Sequence, residues 1–197
     1  MTITQIILAI FLSFPQPKVE ALGGPLYESA EERENRLLIA AEALADATDH
    51  IKSPQFRREL ILQEIAIMEG ESRMARYVGN GDCTNKHAPH KCDADRHGVP
   101  RAVSYPQVWP WCKDAHSLPA GSYDQVKAAI RCSLLRTVAA NRKCASHKKG
   151  QLYGVFAGHR TFIGCTVDER KSFDEKVALY NRAARLFAQL ERKESEQ

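Results

Sequence analysis

Apolar residues recur along this chain at helical spacing, in four stretches separated by polar or Gly/Pro-rich connections. Ser29-x-x-Glu32 has the form of a capping box and opens a helix that should run to about residue 49. Leu37, Leu38, Ala41, Leu44 and Ala45 make its apolar face. Ser53 followed by Pro54 marks a second helix start, with proline at the first helical position. Phe56, Leu60, Ile61, Ile65 and Met68 line one side of that helix, and Leu62, Ala66 and Ile67 widen the stripe until most faces should be buried. From residue 76 to 119 the helical period disappears and Gly, Pro, Asn, Asp and aromatic residues take over. So long a stretch in a small domain points to a functional or disulfide-braced loop region. Ser122-x-x-Gln125 then opens a helix to about residue 142, with Val126, Ala129, Ile130, Leu134 and Val138 inward. A short apolar stretch at 151–158 reads as a further helix or helix fragment. Ser172-x-x-Glu175 should cap a last helix carrying Val177, Tyr180, Ala184 and Phe187 on one face. No succession of alternating strands occurs, and at most a small hairpin fits between residues 76 and 111. The expected class is mainly α, a single domain with a disulfide-braced loop region.

The chain has 197 residues, 44% hydrophobic and 26% charged, an ordinary globular composition with enough apolar material for one core. A net charge of +4, with no long basic block, does not argue for nucleic acid and suits an anionic polymer instead. Residues 6–14 are nearly all apolar, Pro15 and Pro17 follow, and Val19-Glu20-Ala21 has small residues at the spacing of a signal-peptidase site. Residues 1–21 are therefore expected to be a signal peptide and residues 22–197 the domain. The apolar run is too short to span a bilayer, so no stable membrane insertion is expected after processing. No Lys or Arg precedes the run, and the competing reading is a buried N-terminal segment of a cytosolic or virion protein. The six cysteines, Cys83, Cys92, Cys112, Cys132, Cys144 and Cys165, fit a disulfide set in an exported protein. Proximity pairs Cys83 with Cys92, Cys112 with Cys132, and Cys144 with Cys165.

The chemistry concentrates at Glu71-Ser72, where the most apolar helix should end. Partial negative charge on the last carbonyls and an apolar floor both disfavour ionisation of a carboxylate there. A carboxylic acid still protonated near neutral pH can protonate a glycosidic oxygen. Glu69 is the competing acid, but at two residues' separation it points to another side of the helix. The plainer reading of Glu71 is a solvated helix-end carboxylate paired with Arg73 or Arg76. Gly70, beside it, either admits a substrate or lets another helix pack close. Asp82, Asp93 and Asp95 are polar loop residues that could also serve as a second carboxylate. Cys83-x-x-x-His87-x-x-His90-x-Cys92 could wrap a tetrahedral Zn²⁺; in an oxidising compartment the same thiols would close a disulfide loop. Tyr105, Trp109 and Trp111 either form a sugar-stacking cleft wall or pin the loop region to the core. His116, His147 and His159 have no visible partners.

The segment Ile67-Met68-Glu69-Gly70-Glu71-Ser72-Arg73, the later Tyr105-Pro106-Gln107-Val108 and the late Phe156-Ala157-Gly158 occur in an order that resembles the lysozyme-like lytic transglycosylases of the soluble lytic murein type. The run from Glu71 through Gly79-Asn80-Gly81-Asp82-Cys83 looks like a cysteine-containing variant. The resemblance covers roughly residues 28–187 and implies a lysozyme-like domain. It implies that Glu71 is the catalytic acid and base, that Ser72 supports the helix end, and that Gln107 binds substrate near the scissile bond. Two departures stand out. Ser104-Tyr105-Pro106-Gln107 replaces the usual Gly-x-x-Gln, and the family's late Tyr falls at Phe156, with Tyr153 one helical turn earlier. Tyr105, Trp109, Tyr153 and Phe156 complete the expected substrate-binding set. The implied reaction cleaves the β-1,4 bond between N-acetylmuramic acid and N-acetylglucosamine in peptidoglycan strands and leaves 1,6-anhydro ends, with no cofactor. A monomer that binds no nucleic acid is expected, exported to the periplasm or beyond, or else carried in a phage virion or encoded by a phage for lysis. Three alternatives stand beside it: a lysozyme-type hydrolase that uses water, a non-catalytic cell-wall-binding domain of the same fold, and a small zinc-binding interaction domain.

Overall fold

Capping chemistry sets the first long helices. In the computed structural model, which describes residues 1–82, 97, 99–143 and 170–195, helix α1 (Ile3–Ser13) opens on a reciprocal box between Thr2 and Gln5. The short α2 (Lys18–Ala21) follows. The expected box at Ser29 and Glu32 is formed and starts α3 (Ala30–Thr48). Ser53 accepts the Phe56 N–H with Pro54 at the first helical position, and α4 runs Pro54–Ser72. After α5 (Arg76–Gly79) and α6 (Lys113–Ser117), Ser122 accepts the Gln125 N–H at the start of α7 (Tyr123–Lys143). Gln125 reaches back to the N–H of Gly121 rather than to that of Ser122. The last described helix, α8, is Arg170–Ser195. The fold is mainly α, and the one extended pairing among the described residues is a single antiparallel bridge between Val103 and Val108.

The core gathers around α4. Every residue from Leu60 to Met68 is buried, because α3, α7 and α8 each pack on a different side of this helix. Two expectations about faces need correction. Phe56, assigned to the inner stripe of α4, is 44% exposed, since it lies in the first turn ahead of the helices that cover the rest. Ser172 does not cap the last helix, which is already under way at Arg170. The buried stripe of α8 is Lys176, Ala183 and Phe187, with Val177, Tyr180 and Ala184 only half-buried. Its face is rotated by about one residue from the expected one, because a lysine belongs to the stripe.

Residues 1–21, expected as a removable leader, are folded against the rest. Ile6, Ile7, Ile10, Phe11 and Phe14 join the main core, and α1 packs on α3 and α8. Arg33 and Arg182 donate to the carbonyls of Phe14 and Ser13, and buried Glu20 accepts the Arg76 N–H at 2.7 Å. No described helix is long and apolar enough to cross a membrane.

Of the three expected disulfides, Cys112–Cys132 is present and ties the loop region to α7 across a sequence separation of 20. The other two pairs lie outside the described residues. Around this bridge Val108, Cys112, Ala115 and Ala129 form a small core of their own. Closing a loop of this length restricts the unfolded chain by about 3 kcal/mol. Reducing the bridge, or replacing both cysteines with Ser, should lower stability by about that amount, read as a lower urea midpoint.

Candidate functional site

The end of α4 is built by Ser72. Its hydroxyl donates to the Met68 carbonyl at 2.7 Å and accepts the Met74 N–H at 3.2 Å, so one buried side chain satisfies a helix-end acceptor and locks the reversal that follows. The chain then turns through two consecutive left-handed residues, Arg73 (φ 54°) and Met74 (φ 48°). A second strained turn lies at the Gln107 motif, with Ser104 at φ 62° and Gln107 at φ 51°. These four are the non-glycine positive-φ residues of the described structure, and all belong to the two candidate motif segments. Backbone held in this region costs on the order of 1 kcal/mol per residue and persists where surrounding contacts enforce it.

Glu71 does not sit on an apolar floor alone. Its side chain is 5% exposed, and Oε1 receives the ammonium of Lys176 from α8, itself 2% exposed. The plainer reading, a solvated carboxylate at the helix end, is therefore corrected. Gly70 explains the access: a Cβ there would lie 3.0 Å from both Cγ and Cε of Lys176, so the glycine opens a channel for the lysine stem. Of the two roles open to Gly70, close packing of another helix is the one realised.

Glu69 faces elsewhere, as its spacing requires. It is buried, one oxygen has no hydrogen-bond partner, and its carboxyl is pushed up to about 7 by burial, against the pull of Arg73, Arg33 and Arg182. A third carboxyl, Glu64, was not singled out by sequence. It lies two turns before Glu71 on the same face of α4 and is fully buried. Burial pushes its pKa up to about 8, opposed by the Ser133 hydroxyl, which donates to Oε2 at 2.9 Å. Its other oxygen has no partner.

The Gln107 loop is a tight turn closed by Val103 and Val108, which exchange hydrogen bonds at 3.0 and 3.1 Å. The Gln107 amide folds back onto the Ser104 carbonyl at 2.6 Å. Tyr105 is 2% exposed, and its hydroxyl meets Arg36 at 3.1 Å; it pins the loop and offers no face to a sugar. Arg36 also holds Glu28 through two nitrogens and donates to the Met74 carbonyl at 2.8 Å, so one guanidinium joins both motif turns. Trp109 and Trp111, by contrast, are 46% and 42% exposed and keep the cleft-wall role open. His116, expected to lack a partner, places Nε2 3.0 Å from the Val108 carbonyl and braces the turn. Tyr153, Phe156 and the cluster Cys83, His87, His90 and Cys92 lie outside the described residues, as do Asp93 and Asp95.

The packing at the loop makes a sharp prediction. A Cβ at Gly79 would lie 2.5 Å from Cε1 and 2.9 Å from Cζ of the Tyr105 ring, whose hydroxyl is held by Arg36. Gly79→Ala should cost about 1–3 kcal/mol by overpacking. Hydrogen exchange should show residues 103–108 opening before α4 does, because the strain enters through the ring.

Sequence reasoning missed Lys176, Glu64 and Arg36. The signal for the first two was a charged residue on a stripe of apolar ones: Lys176 in step with Tyr180, Ala183 and Phe187, and Glu64 within the run from Leu60 to Met68. Arg36 carried no such signal, because its partners are distant in sequence. No family model matches the chain, and no curated protein or solved structure matches it.

Proposed function

We propose that the chain is a peptidoglycan lytic transglycosylase of lysozyme-like fold, with Glu71 as its single catalytic carboxylate. The observation that carries this reading is the setting of Glu71, a last-turn carboxylate of a buried helix whose side chain is 5% exposed. Enclosure keeps bulk water from competing with a substrate oxygen for that carboxyl. In the first step the protonated carboxyl of Glu71 gives its proton to the glycosidic oxygen, and the bond from the anomeric carbon to that oxygen breaks. In the second the carboxylate takes the proton of the muramoyl 6-hydroxyl as that oxygen bonds to the anomeric carbon. The product is a 1,6-anhydro ring, and no second protein carboxylate is consumed.

Lys176 sets the condition for the first step. Its ammonium is the partner of the Glu71 carboxylate, so the acid acts only when that pair opens to substrate. Gln107 then binds substrate, and Trp109 presents an apolar face to a sugar ring. The same lysine also favours a second reading, a non-catalytic wall-binding domain, since it fills space beside the acid.

Digestion of purified glycan strands with mass spectrometry of the ends separates the readings. Anhydro-muramoyl ends from the wild type, absent with Glu71→Gln, are the expected result. Reducing ends would replace the transglycosylase by a hydrolase. No cleavage by folded, oxidised protein would leave the binding domain.

A further inference from the structure

A half-buried cation lacks a counter-charge among the described residues. Arg136 on α7 lies over the Trp111 ring, with its central carbon 3.8 Å from the ring centroid. No carboxylate pairs with it among the described residues, and burial alone disfavours its charge. A guanidinium seated on an aromatic face is restrained there and can still offer N–H groups to a carboxylate through two parallel hydrogen bonds. A partly desolvated cation without an anion is costly, and a bound anion would offset that cost.

The surroundings define the ligand. Arg136 borders a shallow open depression whose other walls include Gln107, Trp109, Trp111 and Ser133. An exposed indole beside it suits the C–H face of a sugar ring, and the Gln107 amide supplies a neutral polar group. Among the described residues, the lining carries no acidic side chain. The carboxyl behind Ser133 is that of Glu64, which burial keeps protonated to about pH 8.

We propose that Arg136, stacked on Trp111 beside Trp109 and Gln107, is a subsite that reads a carboxylate carried by an N-acetylated sugar. It rests on the glycan-cleaving reading above and deepens it by making Arg136 a specificity residue. In a wall glycan the carboxylate is that of the lactyl group on a muramoyl residue freed of its stem peptide; uronic acid sugars share the chemistry.

Both tryptophans of the chain lie here, so fluorescence excited selectively at tryptophan reports this depression. The test titrates wild type and Arg136→Gln with three disaccharides. These are N-acetylglucosaminyl-N-acetylmuramic acid, which lacks the scissile linkage, neutral diacetylchitobiose, and digalacturonate. The wild type should bind the muramoyl disaccharide about tenfold more tightly than chitobiose, the scale of one charged hydrogen-bonded contact. Arg136→Gln should bring the two within about twofold, with digalacturonate weaker throughout. A preference that survives Arg136→Gln, equal weakening of both N-acetylated sugars, or no fluorescence change with any of the three would overturn the subsite. Digalacturonate binding as tightly as the muramoyl sugar would overturn the N-acetylated sugar as its ligand. Failure of glycan cleavage is read separately, by product ends, and leaves this titration interpretable.

Discussion

Glu71→Gln is expected to lower release of anhydro-muramoyl ends by about a thousandfold, the scale of a lost general acid and base. It should also destabilise the fold, and the two losses have different causes. The amide cannot balance the ammonium of Lys176, which stays enclosed at 2% exposure. Breaking a buried ion pair by removing one partner costs on the order of 3–5 kcal/mol. Lys176→Met removes the cation instead and keeps an apolar stem of similar length in the channel beside Gly70. The double variant, Glu71→Gln with Lys176→Met, buries an amide beside a thioether and removes both charges of the pair. It should recover most of the stability lost by Glu71→Gln and none of the activity. Urea midpoints of the four chains measure the first effect and glycan digests the second. A double variant as unstable as Glu71→Gln would show that the ion pair is not what the single variant breaks. An active Glu71→Gln would end its role as the acid.

Stability of the wild type should fall between about pH 5 and pH 8, and Glu64 should be the main cause. Its carboxyl ionises near 4.5 in the unfolded chain and at about 8 in the fold. Below the first value both states hold the proton and the folded chain pays nothing for it. Above that value the unfolded state releases the proton while the folded state retains it, so stability drops until the pH passes the folded value. Each tenfold change in proton affinity is about 1.4 kcal/mol, which puts the full loss at roughly 5 kcal/mol. Glu69, raised to about 7 by burial, adds to the same slope. Glu64→Gln keeps an acceptor for the Ser133 hydroxyl and removes the larger titration. The variant should match the wild type near pH 5 and exceed it by several kcal/mol at pH 8.5, retaining the shallower decline due to Glu69 and Glu20, which burial also raises. Parallel unfolding curves across this range would show that Glu64 does not titrate in its buried position.

The long helices were legible because capping and periodicity are local. Ser29 with Glu32, and Ser53 with Pro54, act within one turn of the helices they open, and the structure forms both starts. The Cys112–Cys132 bridge followed from nearness in sequence. The role of Ser72 at the helix end was implied by the family resemblance, and its partners Met68 and Met74 are a few residues away. Where a reading depended on two distant segments, local pattern was not enough. Tyr105 and Trp109 are equally aromatic in the sequence, yet one is sealed against Gly79 and Arg36 and the other is open.

The sequence by itself determined the helical class, the starts of α3, α4 and α7, and the break in pattern that carries the Gln107 turn. Each is a property of neighbouring residues, so periodicity and short-range hydrogen bonds are sufficient to specify it. Only the tertiary structure decided the surroundings of the charges. Lys176 meets Glu71 across 105 positions of the chain, Ser133 meets Glu64 across 69, and Arg36 meets Tyr105 across 69. The protonation of a buried group depends on what the fold brings to it and on how much water the fold removes, and neither is written in the residues beside it.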